Sequence, residues 1–188
     1  VQGGGMFLCV EALLQRGGSG LTATGILEEE EIKSRQGSAR RKRNARSAAE
    51  NALTLLEQFG FSKQDYHAHI NFPGGIPIDG PSAGAAMFLA LYSAYTETPV
   101  PNTLALTGEI GLHGQILPVG GVEDKLEAAQ QAGATLALIP QENWREVYRE
   151  IEVVPVGDAE TLLRRVFPPG EGATLSEGME FLVGQEIG

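Results

Sequence analysis

A hydroxyl at the mouth of one apolar helix and an amine at the start of another are the two groups of this chain best suited to nucleophilic chemistry. Ser82 lies in G-G-I-P-I-D-G-P-S-A-G-A-A-M-F-L-A-L-Y-S-A-Y, Gly74 to Tyr95, which carries no charged residue from Pro81 to Thr96. Pro81 suits a first helical position, and Gly80 or Asp79 can cap it. This spacing predicts Ser82 in the first turn of a buried helix, where unpaired N–H groups and the positive dipole end stabilise an anion. The other serines sit in charged, turn or helix-interior contexts. Of the four lysines, Lys33 and Lys42 belong to a charge run and Lys63 to an exposed turn, whereas Lys125 follows G-G-V beside Val122, Leu126 and Ala129. Partial burial and a positive helix end both disfavour an ammonium there. An ordinary lysine titrates near ~10.4 and must fall to roughly 7–8 to act as a base. The plainer readings, Ser82 as a helix cap and Lys125 as a helix-surface residue paired with Glu123, Asp124 or an acidic partner elsewhere, remain open on spacing alone.

Other chemistries fit less well. Gly80 to Gly84 matches G-x-S-x-G by letter, but that nucleophile elbow needs a strand before it and an acid then a histidine after it; only His113 follows, with no aspartate between. The Gly-rich loop running into a helix suggests a phosphate cradle and hence a small-molecule kinase, but it lacks the G-K-[ST] ending. Cys9 lies in an apolar run with no cation nearby and reads as a small core residue. His67 and His69 fall on one face of a strand, without a third ligand to complete a zinc-like set, so structural hydrogen bonding is preferred.

These groups need a scaffold, and the chain reads as α/β. Residues 5–14 and Leu21 to Leu27 form two strands around Q-R-G-G-S-G, read as a hairpin. Ala45, Ala48, Ala49, Ala52, Leu53, Leu56 and Phe59 have helical spacing, ended by Gly60. Tyr66 to Phe72 alternates as a strand. After the apolar helix, Thr103 to Ile110 and Gln115 to Val119 make a second hairpin. Then follow a helix from Val122 to Gly133, a strand at Thr135 to Ile139, a helix at Asn143 to Glu150, a strand at Ile151 to Val156 and a helix capped by Asp158. One domain over 1–167 with a C-terminal tail, 168–188, weakly ordered or packed on a neighbour, is the expected organisation.

A formal net charge of −10 disfavours nucleic acid as the main partner. Half of the Lys and Arg residues fall between Lys33 and Arg46, with no aromatic residue interleaved, which favours a solvated or subunit-contacting face. One cysteine, no signal-like start and no apolar run of membrane length suit a reducing cytoplasmic setting. The start V-Q-G-G-G, without Met, reads as a piece of a longer protein.

Three stretches in order, I-D-G-P-S-A-G, T-G-E at 107–109, and L-P-V-G-G-V-E-D-K-L-E-A-A-Q-Q-A-G, closely resemble the proteolytic domain of the Lon proteases. The resemblance runs from the G-G-G start to about residue 167. It implies that fold, with mixed sheets, hairpins and packed helices, and a serine-lysine dyad: Ser82 as nucleophile and Lys125 as base. By the same resemblance Thr107 orients Lys125, Asp79 and Gly80 shape the loop at the oxyanion region, and His67, His69 and Glu109 are supporting polar positions. With no nucleotide-binding motif in the chain, the expected activity is an endopeptidase that cleaves unfolded or flexible polypeptides without ATP or another cofactor; the resemblance further implies a six-membered ring and an upstream ATPase or ATPase-like domain. Ile78, Gln2 and the basic run at 40–46 depart from the common pattern and point to a divergent branch. They keep a non-catalytic interaction domain as the alternative function.

Overall fold

The computed structural model describes residues 6–25, 45–74, 80–146, 148, 151–168 and 181–187. In chain order these form β1 (Phe7–Arg16), β2 (Gly20–Thr24), α1 (Ala45–Leu56), β3 (Tyr66–Asn71), α2 (Gly84–Thr96), β4 (Leu104–Leu106), β5 (Glu109–Ile110), β6 (Ile116–Leu117), α3 (Val122–Gln131), β7 (Leu136–Pro140), β8 (Glu152–Val156), α4 (Ala159–Val166) and β9 (Phe181–Ile187). Short 3-10 turns cover Glu57–Phe59, Gly80–Ala83 and Gln141–Asn143. The arrangement is α/β, as expected.

A mixed sheet has the order β2-β3-β1-β9. The hairpin expected between β1 and β2 is not formed. β3 lies between them, antiparallel to β1 and parallel to β2. The glycine-rich turn is a crossover above the start of β3: Gly17 N–H donates to Asp65 O at 2.9 Å, and a Cβ on Gly18 would lie 2.9 Å from His67 Cβ. Two apolar runs around a short turn carry the same local pattern in either arrangement; the close approach to His67 separates them. Along β3, Ala68 and Ile70 enter the core while His67, His69 and Asn71 occupy the opposite face. Within the stretch read as a tail, Phe181–Ile187 pairs antiparallel with β1 as an edge strand, with an irregular register between Cys9 and Glu11.

α2 is the centre of the main core. Every residue from Gly84 to Leu91 is buried, and α1 lies beside it with its alanine face inward. Phe88 meets Phe59 and Tyr92, with ring centroids 5.5 and 6.3 Å apart. Each large apolar side chain so buried contributes about 1.5–3 kcal/mol, so the helix is held by burial rather than by its ends.

β4, β7 and β8 form a parallel sheet covered on both faces. Leu104, Leu106 and Leu138 enter the main core, while Ala105, Ala137 and Ile139 pack with Val122, Leu126 and Ala129 of α3. The continuous strand expected from Thr103 to Ile110 is interrupted at Gly108, whose backbone bonds to Ser82 and Ala85, while the Thr107 N–H still reaches Leu138 O of β7. β5 and β6 make the expected hairpin, Ile110 opposite Ile116. The helix expected over Asn143 to Glu150 is absent among the described residues: Gln141–Asn143 is a single 3-10 turn and Trp144 is extended. Asn143 spends its amide on a neighbouring loop, the competition that makes asparagine a poor helix former. α4 begins as expected, with Asp158 Oδ1 accepting the Thr161 N–H at 2.7 Å.

Candidate active site

The described residues bury four polar or charged side chains: Ser82, Ser93, Thr107 and Lys125. Ser93 is accounted for locally, since its hydroxyl donates to Thr98 O at 2.6 Å. The remaining three are the two dyad candidates and the residue expected to orient the lysine.

Ser82 is 4 % exposed and lies in the 3-10 turn that precedes α2, not in the first turn of the α-helix as the sequence suggested. Ala83 takes the N-cap position of α2 and makes no side-chain cap bond. What fixes this entrance is Gly108. Its N–H donates to Ser82 O at 3.0 Å, and its carbonyl accepts the Ala85 N–H at 3.0 Å. A Cβ at Gly108 would stand 2.7 Å from Ile116 Cγ2, and one at Gly84 3.0 Å from both the Ile110 nitrogen and Ile110 Cγ2. Gly84 leaves room for the backbone of β5 and Gly108 for the Ile116 and Ala85 side chains, and the bonds of Gly108 to the turn and to α2 break the expected strand.

Thr107 precedes Gly108 and is fully buried. Its N–H donates to Leu138 O at 3.2 Å, so β7 holds it. Leu104 and Leu106 face the main core and Ala105 faces α3; continuing that alternation directs Thr107 toward α3. Thr107 Oγ1 has no hydrogen-bond partner among the described residues, so the bond expected from it to Lys125 is not made in this structure. A buried hydroxyl left unpaired costs about 1–3 kcal/mol, and such a group calls for a functional explanation.

Lys125 is 6 % exposed and shares the inward stripe of α3 with Val122, Leu126 and Ala129, while Glu123 and Asp124 of the same turn are exposed. Its burial contradicts the reading of Lys125 as a helix-surface residue. Gly121 opens the helix with φ of 65°, a left-handed value suited to glycine, and its carbonyl accepts the Lys125 N–H at 3.1 Å.

The supporting positions divide. Glu109 follows Gly108 directly and starts β5, which packs against the turn holding Ser82. His67 and His69 are engaged in a polar ladder with β2: His67 Nε2 lies 2.8 Å from Thr22 Oγ1 and His69 Nε2 2.9 Å from Thr24 Oγ1. Thr24 Oγ1 also donates to Asn71 Oδ1, and Asn71 Nδ2 donates to Glu11 Oε2, both at 2.8 Å. Gly80 belongs to the 3-10 turn. Asp79, Ile78, Gln2 and residues 40–44 of the basic run lie outside the described residues; Arg46, at its end, pairs with Glu50 at 3.2 Å on an exposed helix face. Gly108 and Asn143 were not singled out from sequence. A glycine inside a strand pattern was the available signal for the first, and nothing comparable marked the second.

The described residues thus bury a hydroxyl and an amine, each at the start of a different helix of an α/β domain. The comparisons sharpen this. The family model of the Lon protease (S16) C-terminal proteolytic domain matches residues 1–163. The chain belongs to this family of peptidase domains. It is 46% identical over 156 residues to Lon protease 2 of Bacillus subtilis, covering 80% of this chain and 28% of that protein. It is 40% identical over 145 residues to the Lon protease of Methanosphaera stadtmanae (77% of this chain, 17% of that protein). With the Lon protease of Geobacter metallireducens it shares 38% identity over 185 residues (93% and 22%). The chain thus spans less than a third of the length of these relatives.

Proposed function

We propose that this domain is a serine endopeptidase in which Lys125 activates Ser82 and peptide bonds of unfolded or flexible polypeptides are cleaved without ATP. The observation that carries the reading is the selective burial of Ser82, Thr107 and Lys125 within the span matched by the family. Burial of an amine favours its neutral form, the form a base requires. Lys125 Nζ takes the Ser82 Oγ proton as Oγ attacks the peptide carbonyl, and backbone N–H groups at the α2 entrance receive the oxyanion. Collapse of the tetrahedral intermediate returns the proton from Lys125 to the leaving amine and leaves an acyl-serine. Water, deprotonated by Lys125, then attacks the acyl carbonyl, and Lys125 returns that proton to Ser82 Oγ as the ester bond breaks and the acid leaves. Thr107, whose hydroxyl has no partner among the described residues, is assigned the role of orienting Lys125.

By family resemblance Asp79 and Gly80 are assigned to shaping the oxyanion region, and His67, His69 and Glu109 to supporting polar positions around it. The proteolytic unit is taken as residues 1–167. Assembly as a six-membered ring in the cytoplasm, with an ATPase or ATPase-like domain upstream, extends the reading by family analogy alone. No helix among the described residues is long and apolar enough to cross a membrane.

The test is cleavage of an unfolded protein such as casein by the wild type, Ser82→Ala and Lys125→Ala, with and without ATP. We expect ATP-independent cleavage by the wild type, and a fall of about 10³-fold or more in each variant at unchanged circular dichroism. Full cleavage by either variant would remove the dyad.

A further inference from the structure

We infer that Asn143 is a positioning residue for Lys125, acting through the loop that leads into α3. Its side-chain amide occupies both backbone groups of Val119: Oδ1 accepts the Val119 N–H at 2.8 Å, and Nδ2 donates to Val119 O at 2.9 Å. This is the bonding a neighbouring strand would supply, here given by one side chain. It fixes the orientation of the Val119 peptide groups, and Val119 itself packs into the apolar cluster beneath α3.

Between Val119 and the helix lie only Gly120 and Gly121. A Cβ on either would meet nothing within 4 Å, so no packing of their own holds these two residues. Gly121, at φ of 65°, then accepts the Lys125 N–H. The start of α3 is therefore held from two sides: Val122 and Leu126 pack on Ala105, Ala137 and Ile139, and Asn143 fixes the loop before the helix through Val119. Asn143 closes the 3-10 turn that directly follows β7, and its carbonyl lies 3.4 Å from the Tyr148 hydroxyl. β7 also holds Thr107, through Leu138 O. One strand thus sets both the threonine and, by way of Asn143, the helix bearing the lysine.

The inference deepens the proposed dyad and rests on it for its catalytic meaning, so the test has an arm that does not need cleavage. In Asn143→Ala, kcat is expected to fall on the order of ten- to a hundredfold, with KM within about twofold and the acid limb of the pH–rate profile displaced. Glu142→Ala, an exposed change in the same turn, should behave as wild type. In parallel, the titration of the Lys125 ε-carbon, followed by NMR in Ser82→Ala and in the double variant with Asn143→Ala, should move between the two. Asn143→Asp keeps the shape and the bond to the Val119 N–H but, ionised, cannot donate to Val119 O. It serves if the alanine variant does not fold, with the same changes expected on a smaller scale. Unchanged kcat and unchanged Lys125 titration in a folded Asn143 variant overturn the positioning role and leave the dyad intact. A moved titration in a protein with no Ser82-dependent cleavage removes the dyad and leaves the positioning role intact.

Discussion

α4 and α2 begin in opposite ways. At α4, Asp158 presents a carboxylate to the Thr161 N–H, Glu160 follows in the first turn, and the helix carries Arg164 and Arg165 in its last. Everything the end of a helix needs is supplied within a few residues, on the surface. At α2, the N-cap is Ala83, the first turn has no acid and no side chain caps it; the entrance is buried and is clamped from outside by both backbone groups of Gly108. α3 shares with α2 the lack of a side-chain cap, with Gly121 at its N-cap and Asn143 gripping the loop before it, although its entrance is exposed and its first turn holds Glu123 and Asp124. A self-capped start needs no remote residue but fills its own end with a side chain. A start clamped from the side leaves its mouth to Ser82 or Lys125 and fixes it against the parallel sheet.

The contrast can be tested in order of effect. Gly108→Val should be most damaging: its Cβ alone would stand 2.7 Å from Ile116 Cγ2 and 3.4 Å from Ala85 Cβ. Overpacking of this kind costs about 1–3 kcal/mol, read as a lower urea midpoint, and cleavage should be lost even where the variant is folded, because the Ser82 turn shifts. Retained cleavage would show that the clamp does not position Ser82. Asp158→Ala should cost less, about 0.5–1 kcal/mol given its exposure, and leave cleavage of the remaining folded protein unchanged. The same cap predicts a pH dependence. The Thr161 backbone N–H, ahead of lesser contributions that include Arg164, holds the Asp158 carboxyl below its ordinary value of 3.8. Its folded pKa is depressed, so its contribution is complete above about pH 5 and fades as pH falls through the lowered value. Asp158→Asn, which cannot ionise, should lose that acid-dependent part in urea titrations between pH 5 and pH 2. The smallest effect is expected at Arg164, paired with Glu160 one turn away on an exposed face. Arg164→Ala should cost no more than about 0.5 kcal/mol, and less at high salt.

The same contrast explains what was legible in the sequence. The Asp158 cap, the alanine stripe of α1 and the β5–β6 hairpin are local devices, and their residue patterns predict them. The apolar run of α2 marked a buried helix, and the run G-G-V-E-D-K-L marked α3, so both dyad candidates could be found. The burial of Ser82 was legible with its helix, but that of Lys125 only in part: Lys125 at the helix surface and Lys125 on the inward stripe differ by a rotation that periodicity left ambiguous. Nor could the clamps be read. Gly108 bonds to Ser82 and Ala85, more than twenty residues earlier. Asn143 reaches back to Val119, and in sequence it looks like the start of a helix. β1 and β2 looked like a hairpin because β3, which separates them, arrives some forty residues later. Each miss is a long-range backbone contact that leaves at most a glycine or an asparagine as its trace.

The central claim is that Ser82 is made nucleophilic by Lys125. Its most direct measurement is covalent capture: treatment of the wild type and of folded Lys125→Ala with a peptidyl phosphonate ester, followed by mass spectrometry of the digested adduct. The account predicts a single adduct on Ser82 in the wild type, formed faster as pH rises through the lysine titration, and little or none in Lys125→Ala. An adduct on another residue, or equal labelling of Ser82 without Lys125, would contradict it.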